Sequence, residues 1–509
     1  MRILIFHGYL LRGTGSNIYN AALVRALLDL GHEVHLLCQD RRARDLPFVD
    51  AVVPFRGSEL AADPPRGARC TVYLPDIGRT LPVYVADRYE NFDAVPFADL
   101  DDNALERYVA ANVAAVEAVR ELARPHAALA HHLIMGPAVL ARALAGRVPY
   151  AVKVHGSALE YVVRPHRDRF LPFAREGLSA ANGVLVGSRH TAESLWEVVD
   201  DASVAAKTRL GPPGVDTRTF RPCPREEARR PLYELADRLD RETAGWGGEK
   251  GAADALRALD PERDAIVTYV GKLIVSKGVD LLVAAWPLVA AAVPDARLCI
   301  VGFGNYRRAL EDLARALARG DLDGARSIAR RGRALEGGPA GPLAYLCAFL
   351  DGLDDPPAYL DAARAALERL SFTGRLEHDQ LPPLLAASQA QVVPSTFPEA
   401  FGMVAVEAAA CGALPLSARH SGLAEVTRTL ELALPEPLRP LLSFDAGPRA
   451  VDEIAEKLIR WLRLDPPART AARATLSARA RELFGWEGVA RGVVAAAEGR
   501  LGDLRAAVA

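Results

Sequence analysis

The stretch "AQVVPSTFPEAFGMVAVEAAACG", residues 390–412, changes character twice. It opens as a short apolar run, passes through a segment broken by Pro394, Pro398 and Gly402, and continues as an alanine-rich run that Gly412 ends. The pattern predicts a buried strand, a loop, and a helix starting near Gly402 and running through Glu407 to Cys411. At such a start the amides of Gly402, Met403 and Val404 have no partner within the helix and are ready for an anion. Glu407 lies about 7 Å further along the axis at ~1.5 Å per residue, and Glu399 precedes the turn. An anion at the helix start would then have a carboxylate on each side. A single first-turn acid would serve only the helix dipole, but two acids around one turn ask for more.

The same strand–loop–helix alternation recurs along the chain. "RILIFH", "EVHLLCQ", "YAVKVH" and "GVLVGS" read as buried parallel strands in the first half, and "AIVTYVG", "RLCIVG", "LSFTG" and "AQVVPS" in the second. Helical runs lie between them, such as "NIYNAALVRALLDLG", whose Gly31 suits the position just past a helix end. The expected fold class is α/β, with two doubly wound, Rossmann-like domains facing a cleft. At 509 residues the chain is too long for one core. The Pro-, Gly- and charge-rich "LGPPGVDTRTFRPCPREEARRP" places a hinge around 211–222. The expected domains are 1–215, a linker and helical stretch over 216–263, and 264–485. A helical surface insertion is expected at about 320–370, and a C-terminal helix, 486–509, is expected to pack back toward the first domain.

Composition limits the function classes. Half of the residues are hydrophobic, a quarter are charged and the net charge is -2, so no basic field argues for nucleic acid. The six cysteines, Cys38, Cys70, Cys223, Cys299, Cys347 and Cys411, form no C-x-x-C pair and read as buried free thiols of a reducing compartment. The apolar start "MRILIFHGYL" is too short for a signal peptide, and no run approaches the ~20 residues of a membrane span. A cytoplasmic location is expected.

Several other loops carry chemistry. "VGKLIVSKGVDLL" sets Lys272 and Lys277 around a glycine-flanked turn after a strand, which suits a diphosphate. "IVGFGNY" offers a tight turn with close backbone approach to a ligand. In "FTGRLEHDQL", Gly374 and Arg375 end a strand where a base could be read through backbone groups, and Asp379 is the expected helix cap. His155 ends a strand, and Ser188 reads as a cap. The loop "HGYLLRGTGSN", followed by Asp40, invites a dinucleotide reading, but the third glycine is missing and a six-residue detour follows His7. No D-x-D pair joins the set; Asp99–Asp102 reads as a cap and a solvated turn, so no metal is expected.

"PSTFPEAFGMVAVEAAACGALPL", with "GKLIVSKG", "FTGRL" and "PPGVDTRTFRP", resembles the retaining family-4 glycosyltransferases of GT-B fold, whose E-x7-E signature is matched by Glu399 and Glu407. The resemblance implies a retaining, metal-independent hexosyltransferase with no cofactor beyond its nucleotide-diphosphate sugar donor, with 1–215 as the acceptor-side domain and 264–485 as the nucleotide-sugar-binding domain. In it Glu399 lies against the donor sugar and Glu407 holds the ribose hydroxyls. The backbone of Phe401, Gly402, Met403 and Val404 meets sugar and phosphates, Lys272 and Lys277 bind the diphosphate, and Arg375 belongs to the donor site. His155 contacts the 6-hydroxyl side of the sugar, and Glu399, His155 and Lys277 are the catalytic set. Gly13, Thr14, Gly15 and Ser16 reach donor phosphates or acceptor. The leaving phosphate helps deprotonate the acceptor on the same face. Two departures stand out: Lys272 replaces the usual arginine, losing its bidentate fork, and Ser421 in "HSGLAEV" replaces one glycine of a pair. The expected partners are the donor and a carbohydrate, lipid-linked or small-molecule acceptor, with weak membrane-surface association as a further option. A non-transferring GT-B enzyme (an epimerase or phosphorylase) and a non-catalytic sugar-nucleotide binder are the alternatives.

Overall fold

The computed structural model describes residues 1–13, 15–84, 92–242 and 248–507, so Thr14 of the glycine loop lies outside the described residues. The chain divides into two compact units, Met1–Gly214 with Phe484–Ala509, and Val215–Leu483.

The first unit contains β1 (Arg2–Phe6), β2 (Glu33–Leu37), β3 (Ala51–Arg56), β4 (Glu59–Leu60), β5 (Cys70–Leu74), β6 (Thr80–Val83), β7 (Asp93–Pro96), β8 (Ala127–His131), β9 (Tyr150–Lys153), β10 (Gly183–Val186) and β11 (Thr208–Leu210). Nine of these strands form one sheet in the order β11-β10-β9-β8-β1-β2-β5-β3-β4, while β6 and β7 pair with each other. Every pair in the large sheet is parallel except β3–β4. Strands covered on both faces must be apolar throughout, and β1, β8, β9 and β10 are buried at nearly every position. The winding reverses between β1 and β8, which is where loops of an open α/β sheet can part around a ligand.

The second unit adds β12 (Ala265–Val270), β13 (Ala296–Val301), β14 (Leu370–Gly374), β15 (Ala390–Val393), β16 (Leu414–Ala418) and β17 (Ser443–Phe444). They form a parallel sheet ordered β14-β13-β12-β15-β16-β17, with the reversal between β12 and β15. The two-lysine loop follows β12 and the two-glutamate loop follows β15, so topology alone makes them neighbours.

Two expected boundaries differ. The 216–263 stretch is helical as expected but belongs to the second unit: its helices Arg229–Arg241 and Ala252–Arg257 pack on each other, the first also against Leu381–Ala387 and the second against β14. Apolar Leu232, Leu235, Ala236 and Leu256 drive this burial. The insertion is also shorter than expected. Helix Pro356–Leu367 packs on Val279–Ala292 and Arg307–Ala318 and leads directly into β14, so it is the crossover helix of the sheet and only the preceding segment is added. At the C-terminus, helix Trp486–Ala497 lies on Gly15–Asp29 and on β8, β9 and β10 within the first unit. Its Ala490, Val493 and Ala496 join the apolar cluster of Leu23 and Leu27.

Cys38, Cys70, Cys299 and Cys411 are buried, Cys223 and Cys347 are partly buried, and all six are free thiols. No helix among the described residues is long and apolar enough to cross a membrane.

Candidate active site

In the second unit the helix after β15 spans Met403–Ala410 with Gly402 as its N-cap at φ +112°, a conformation open to glycine. Glu399, in the loop before it, is held from four directions. Lys277 Nζ donates to Glu399 Oε1, and Ser395 Oγ donates to the same oxygen at 2.6 Å. The Glu399 N–H donates to Ser421 Oγ at 2.8 Å, and the Gly422 N–H donates to the Glu399 carbonyl at 2.9 Å. The Lys277–Glu399 pair is partly exposed, with side chains 30% and 22% accessible. It is therefore open to substrate, and its Coulomb term is discounted by solvent.

Glu407 lies on the helix itself, 3% exposed, and its Oε1 accepts from His378 Nε2 at 2.8 Å. Burial lowers the His378 pKa, but the hydrogen bond and charge of Glu407 outweigh it and the net shift is upward. His378 packs against Phe220 at 5.0 Å between ring centroids. The sequence pattern did not single out His378; the signal available was only its place in the loop after β14, 29 residues from Glu407.

Lys272 is exposed, and its carbonyl accepts from the Tyr269 hydroxyl at 2.8 Å. Arg375 stacks over Phe303 at 5.7 Å and pairs with Glu377 at 3.0 Å. Phe401 is 9% exposed, and Met403 and Val404 are partly exposed in the first helical turn. One detail corrects the expectations. Asp379 is not a helix cap: Glu377 is the N-cap of the short turn His378–Gln380, its N–H donating to Gln380 Oε1 at 2.8 Å, the helix Leu381–Ala387 follows with Gln380 at its N-cap position, and Asp379 pairs with Arg238. The G-x-G of "IVGFGNY" forms a tight turn that approaches the chain itself closely. A Cβ on Gly302, at φ +150°, would lie 1.8 Å from the Gly271 carbonyl oxygen.

In the first unit the loops after β1, β8 and β9 bring together His7, His131, His132 and His155 at its point of reversal. His131 and His155 stack at 5.4 Å, with Nδ1 of the first and Nε2 of the second 3.0 Å apart. His132 lies 4.8 Å from His155 and 4.4 Å from Tyr84. His7, 2% exposed, uses Nε2–H toward Leu10 O and Asn17 Oδ1 and accepts from Asn20 Nδ2 at Nδ1. It thereby ties down the detour before the glycine loop. Burial lowers the pKa of His7 to about 4, and burial plus mutual repulsion holds His131 and His155 well below the usual range. All are neutral at pH 7. Only His155 is partly exposed, so it is the cluster's open edge.

Gly13, at φ +96°, and Gly15, which opens helix Gly15–Asp29, are exposed, and a Cβ at either would meet nothing within 4 Å. Asp40 is occupied: its two oxygens accept the N–H of Leu11 at 3.0 Å and of Arg42 at 2.9 Å, which removes it as a ribose acid. Ser188 caps helix Arg189–Val199 and accepts from the Thr191 N–H. Asp101 caps Asp102–Ala123. Among the described residues no group of three or more His, Cys, Asp and Glu is placed to hold a metal ion.

Comparison with known proteins agrees with this architecture. The model of the glycosyl transferases group 1 matches residues 256–321 and 354–482, and that of the glycosyl transferase 4-like domain matches 14–214. D-inositol 3-phosphate glycosyltransferase of Rhodococcus opacus is 28% identical over 251 residues, 48% of this chain and 43% of that protein. The enzyme of the same name from Mycolicibacterium vanbaalenii is 26% identical over 357 residues, 68% of this chain and 65% of that one. The chain thus matches less than half the length of the first of these relatives. Among solved structures, sucrose-phosphate synthase from Thermosynechococcus elongatus superposes with a TM-score of 0.57 at 20% identity, covering 99% of both chains. Anabaena HepE in complex with UDP-glucose gives 0.54 at 15% identity, covering 97% of this chain and 98% of that one. The two family models together cover well over half of the chain, which belongs to the group 1 glycosyl transferases, family-4 glycosyltransferases of GT-B fold.

Proposed function

We propose that the protein transfers a sugar from a nucleotide-diphosphate sugar to an acceptor hydroxyl with retention of configuration and without a metal ion. One observation carries this reading: Glu399 and Glu407 flank the Gly402 helix start at the reversal of the second sheet, and each is held by its own hydrogen bonds. The diphosphate is assigned to Lys277, Lys272 and the first-turn amides of Gly402, Met403 and Val404. Their charge and dipoles balance the leaving group where a metal would otherwise be needed. Glu399 accepts from sugar hydroxyls, and Glu407 accepts from the ribose with its carboxylate oriented by His378. Phe401 and Arg375 border the nucleotide. His155 and the loop of Gly13 and Gly15 are proposed as the first unit's substrate contacts. No strong protein nucleophile is invoked: the leaving phosphate takes the acceptor proton on the same face, and positioning supplies most of the rate. The donor and a carbohydrate, lipid-linked or small-molecule acceptor are the proposed partners, and the cytoplasm the proposed location.

The test is a thermal-shift screen of nucleoside diphosphates and their sugars, followed by transfer assays with the base that shifts the protein. Lys277→Ala is expected to lower transfer about 10- to 100-fold, the equivalent of a charge-assisted hydrogen bond of ~1.5–3 kcal/mol. Unchanged transfer by Glu399→Gln, or no shift with any nucleotide, would remove the reading.

A further inference from the structure

Residues 322–353 lie between the two segments matched by the group 1 model, yet they return to the neighbourhood of the lysine loop. Between helices Leu322–Arg331 and Ala344–Asp351 the chain forms a turn that includes Glu336. Glu336 Oε2 accepts the N–H of Val275 at 2.8 Å, two residues before Lys277. Beside this contact is a cavity of about 420 Å³. Val275, Asp280 and Thr396 wall it from the frame of the unit, and Arg333, Pro342 and Tyr345 from the insertion. At ~30 Å³ per liquid water the space equals roughly a dozen waters, or one small ring compound with room to spare.

Asp280 gives the cavity its chemistry. It is 3% exposed, and its Oδ1 has no donor among the described residues. A buried oxygen without a donor is costly, and such atoms are rare enough in folded proteins to need a cause. Burial raises the carboxyl to about 7, so near neutrality it both accepts hydrogen bonds and, when protonated, donates one. That suits a hydroxyl; a hard anion would be repelled. The Tyr306 hydroxyl, whose pKa is raised by burial first and by the Asp280 charge second, is also buried with no partner among the described residues. The remaining wall is aliphatic and aromatic, from Val275, Pro342 and Tyr345, with Arg333 exposed at the rim and its Nε paired with Glu336 at 3.2 Å. An acid inside, apolar walls and an ion pair at the mouth match a ring with apolar C–H faces and hydroxyls around its edge.

We propose that this cavity is a saccharide subsite added by the insertion, taking one pyranose unit whose hydroxyl donates to the Asp280 carboxylate. The choice of a sugar over other hydroxylated rings rests on the transferase reading. The sugar is either a unit of the acceptor or a free effector; the recognition chemistry is the same. An occupant touches Val275 and Thr396, and the Thr396 N–H donates to the Ser276 carbonyl at 2.9 Å. The turns that carry Lys277 and Glu399 therefore feel its presence.

The test is saturation-transfer NMR on the full chain, with and without a saturating nucleoside diphosphate. The probes are methyl gluco-, manno- and galactopyranoside, with glycerol as the size control. At least one glycoside is expected to bind in the millimolar range, and glycerol is not. Asp280→Asn should weaken that binding at least fivefold. Ala340→Trp, an exposed position that fills the cavity, should abolish it, with the nucleotide thermal shift unchanged in both variants. No binding by any glycoside, or equal binding by both variants, overturns the proposal. Mass analysis of the bound glycoside after donor is added separates an acceptor unit, which gains a sugar, from an effector, which does not; either result keeps the subsite. If no nucleotide shifts the protein, the transferase reading falls, while the nucleotide-free titration still decides the cavity.

Discussion

Ser421 accepts the backbone N–H of Glu399 through its hydroxyl at 2.8 Å while its own backbone sits at φ +51°. The hydroxyl also meets His420 Nδ1 at 3.0 Å, and His420 Nε2 donates to the Ser395 carbonyl at 2.7 Å. Ser395 Oγ then donates to the Glu399 carboxylate. Glu399 is thus tied at both backbone and side chain into one ring of bonds through Ser421, His420 and Ser395. The ring sets the His420 tautomer as well: Nε2 carries the proton, so Nδ1 accepts from Ser421. A serine where the family resemblance expects glycine gives up conformational ease for this connection.

Two terms of similar size decide what Ser421→Gly does. Leaving the left-handed region as a non-glycine residue relieves about 1 kcal/mol, and losing the hydroxyl's bonds costs about 1 kcal/mol. The melting temperature should therefore stay within about 2–4 °C of the parent. Transfer should fall several-fold in kcat, with nucleotide affinity unchanged, because Glu399 loses its anchor. Ser421→Ala keeps the strain and loses the bond, so it should be less stable than Ser421→Gly. Calorimetry and steady-state kinetics on the pair check both statements.

The Glu407–His378 contact makes a prediction about pH. The folded-state pKa of His378 is raised above its unfolded value, burial being outweighed by Glu407. A raised histidine contributes stability that is fully present below the unfolded pKa of ~6.5 and is lost as pH rises through the folded value. Glu407→Gln removes the charge that sustains the shift. The gap in melting temperature between parent and Glu407→Gln should then narrow from pH 6 toward pH 8.5. A constant gap would mean that His378 is not protonated in the folded protein.

Much of the scaffold was legible because parallel strands covered on both faces must be apolar throughout: β1, β2, β9, β10 and β12 to β15 stand out as such runs. The central strand β8, "AALAH", did not, since alanine serves helices equally well in this alanine-rich chain. Nor did β16, where Pro415 interrupts "LPLSA". The two glutamates and Lys277 were readable from spacing and position at strand ends. Their supports were not, because a side chain that serves another through space leaves no local period. His378 acts on Glu407 across 29 residues, and His420 reaches Ser395 across 25. The histidine cluster needed the reversal between β1 and β8 to bring His7 beside His131 and His132. The same limit applies to the G-x-G turn, since nothing local foretells that its close approach includes the Gly271 carbonyl.

The C-terminal return should be essential to the first unit. Trp486 stands edge-on to Tyr19 at 5.2 Å between ring centroids, and a Cβ on Gly214 would lie 2.6 Å from its ring. Helix Trp486–Ala497 closes the apolar face of Gly15–Asp29. Since Trp486 is only partly buried, Trp486→Ala should cost near the low end of the ~3–5 kcal/mol typical of buried aromatics. Gly214→Ala should also destabilise, because the ring it meets is fixed. Deletion of residues 486–509 should expose the cluster and give aggregation, read by dye binding and size-exclusion chromatography.

Lys153 carries the last prediction, because its environment opposes its charge. It is 2% exposed beneath the histidine cluster, with its ammonium near the Tyr19 ring and its Nζ donating to the Gly211 carbonyl. Burial lowers its pKa to about 7. Between pH ~7 and its unfolded value near 10.4 the unfolded chain binds a proton that the folded chain does not. Stability should therefore rise with pH across that interval, and the penalty for charging Lys153 is fully felt below pH 7. Lys153→Met keeps the aliphatic volume and deletes the titration. Its melting temperature should exceed the parent's by more at pH 6.5 than at pH 9.5, although the freed Gly211 carbonyl offsets part of the gain. If the difference is the same at both pH values, Lys153 is charged throughout, and its ammonium is stabilised by the Tyr19 face and the carbonyl more strongly than burial opposes it.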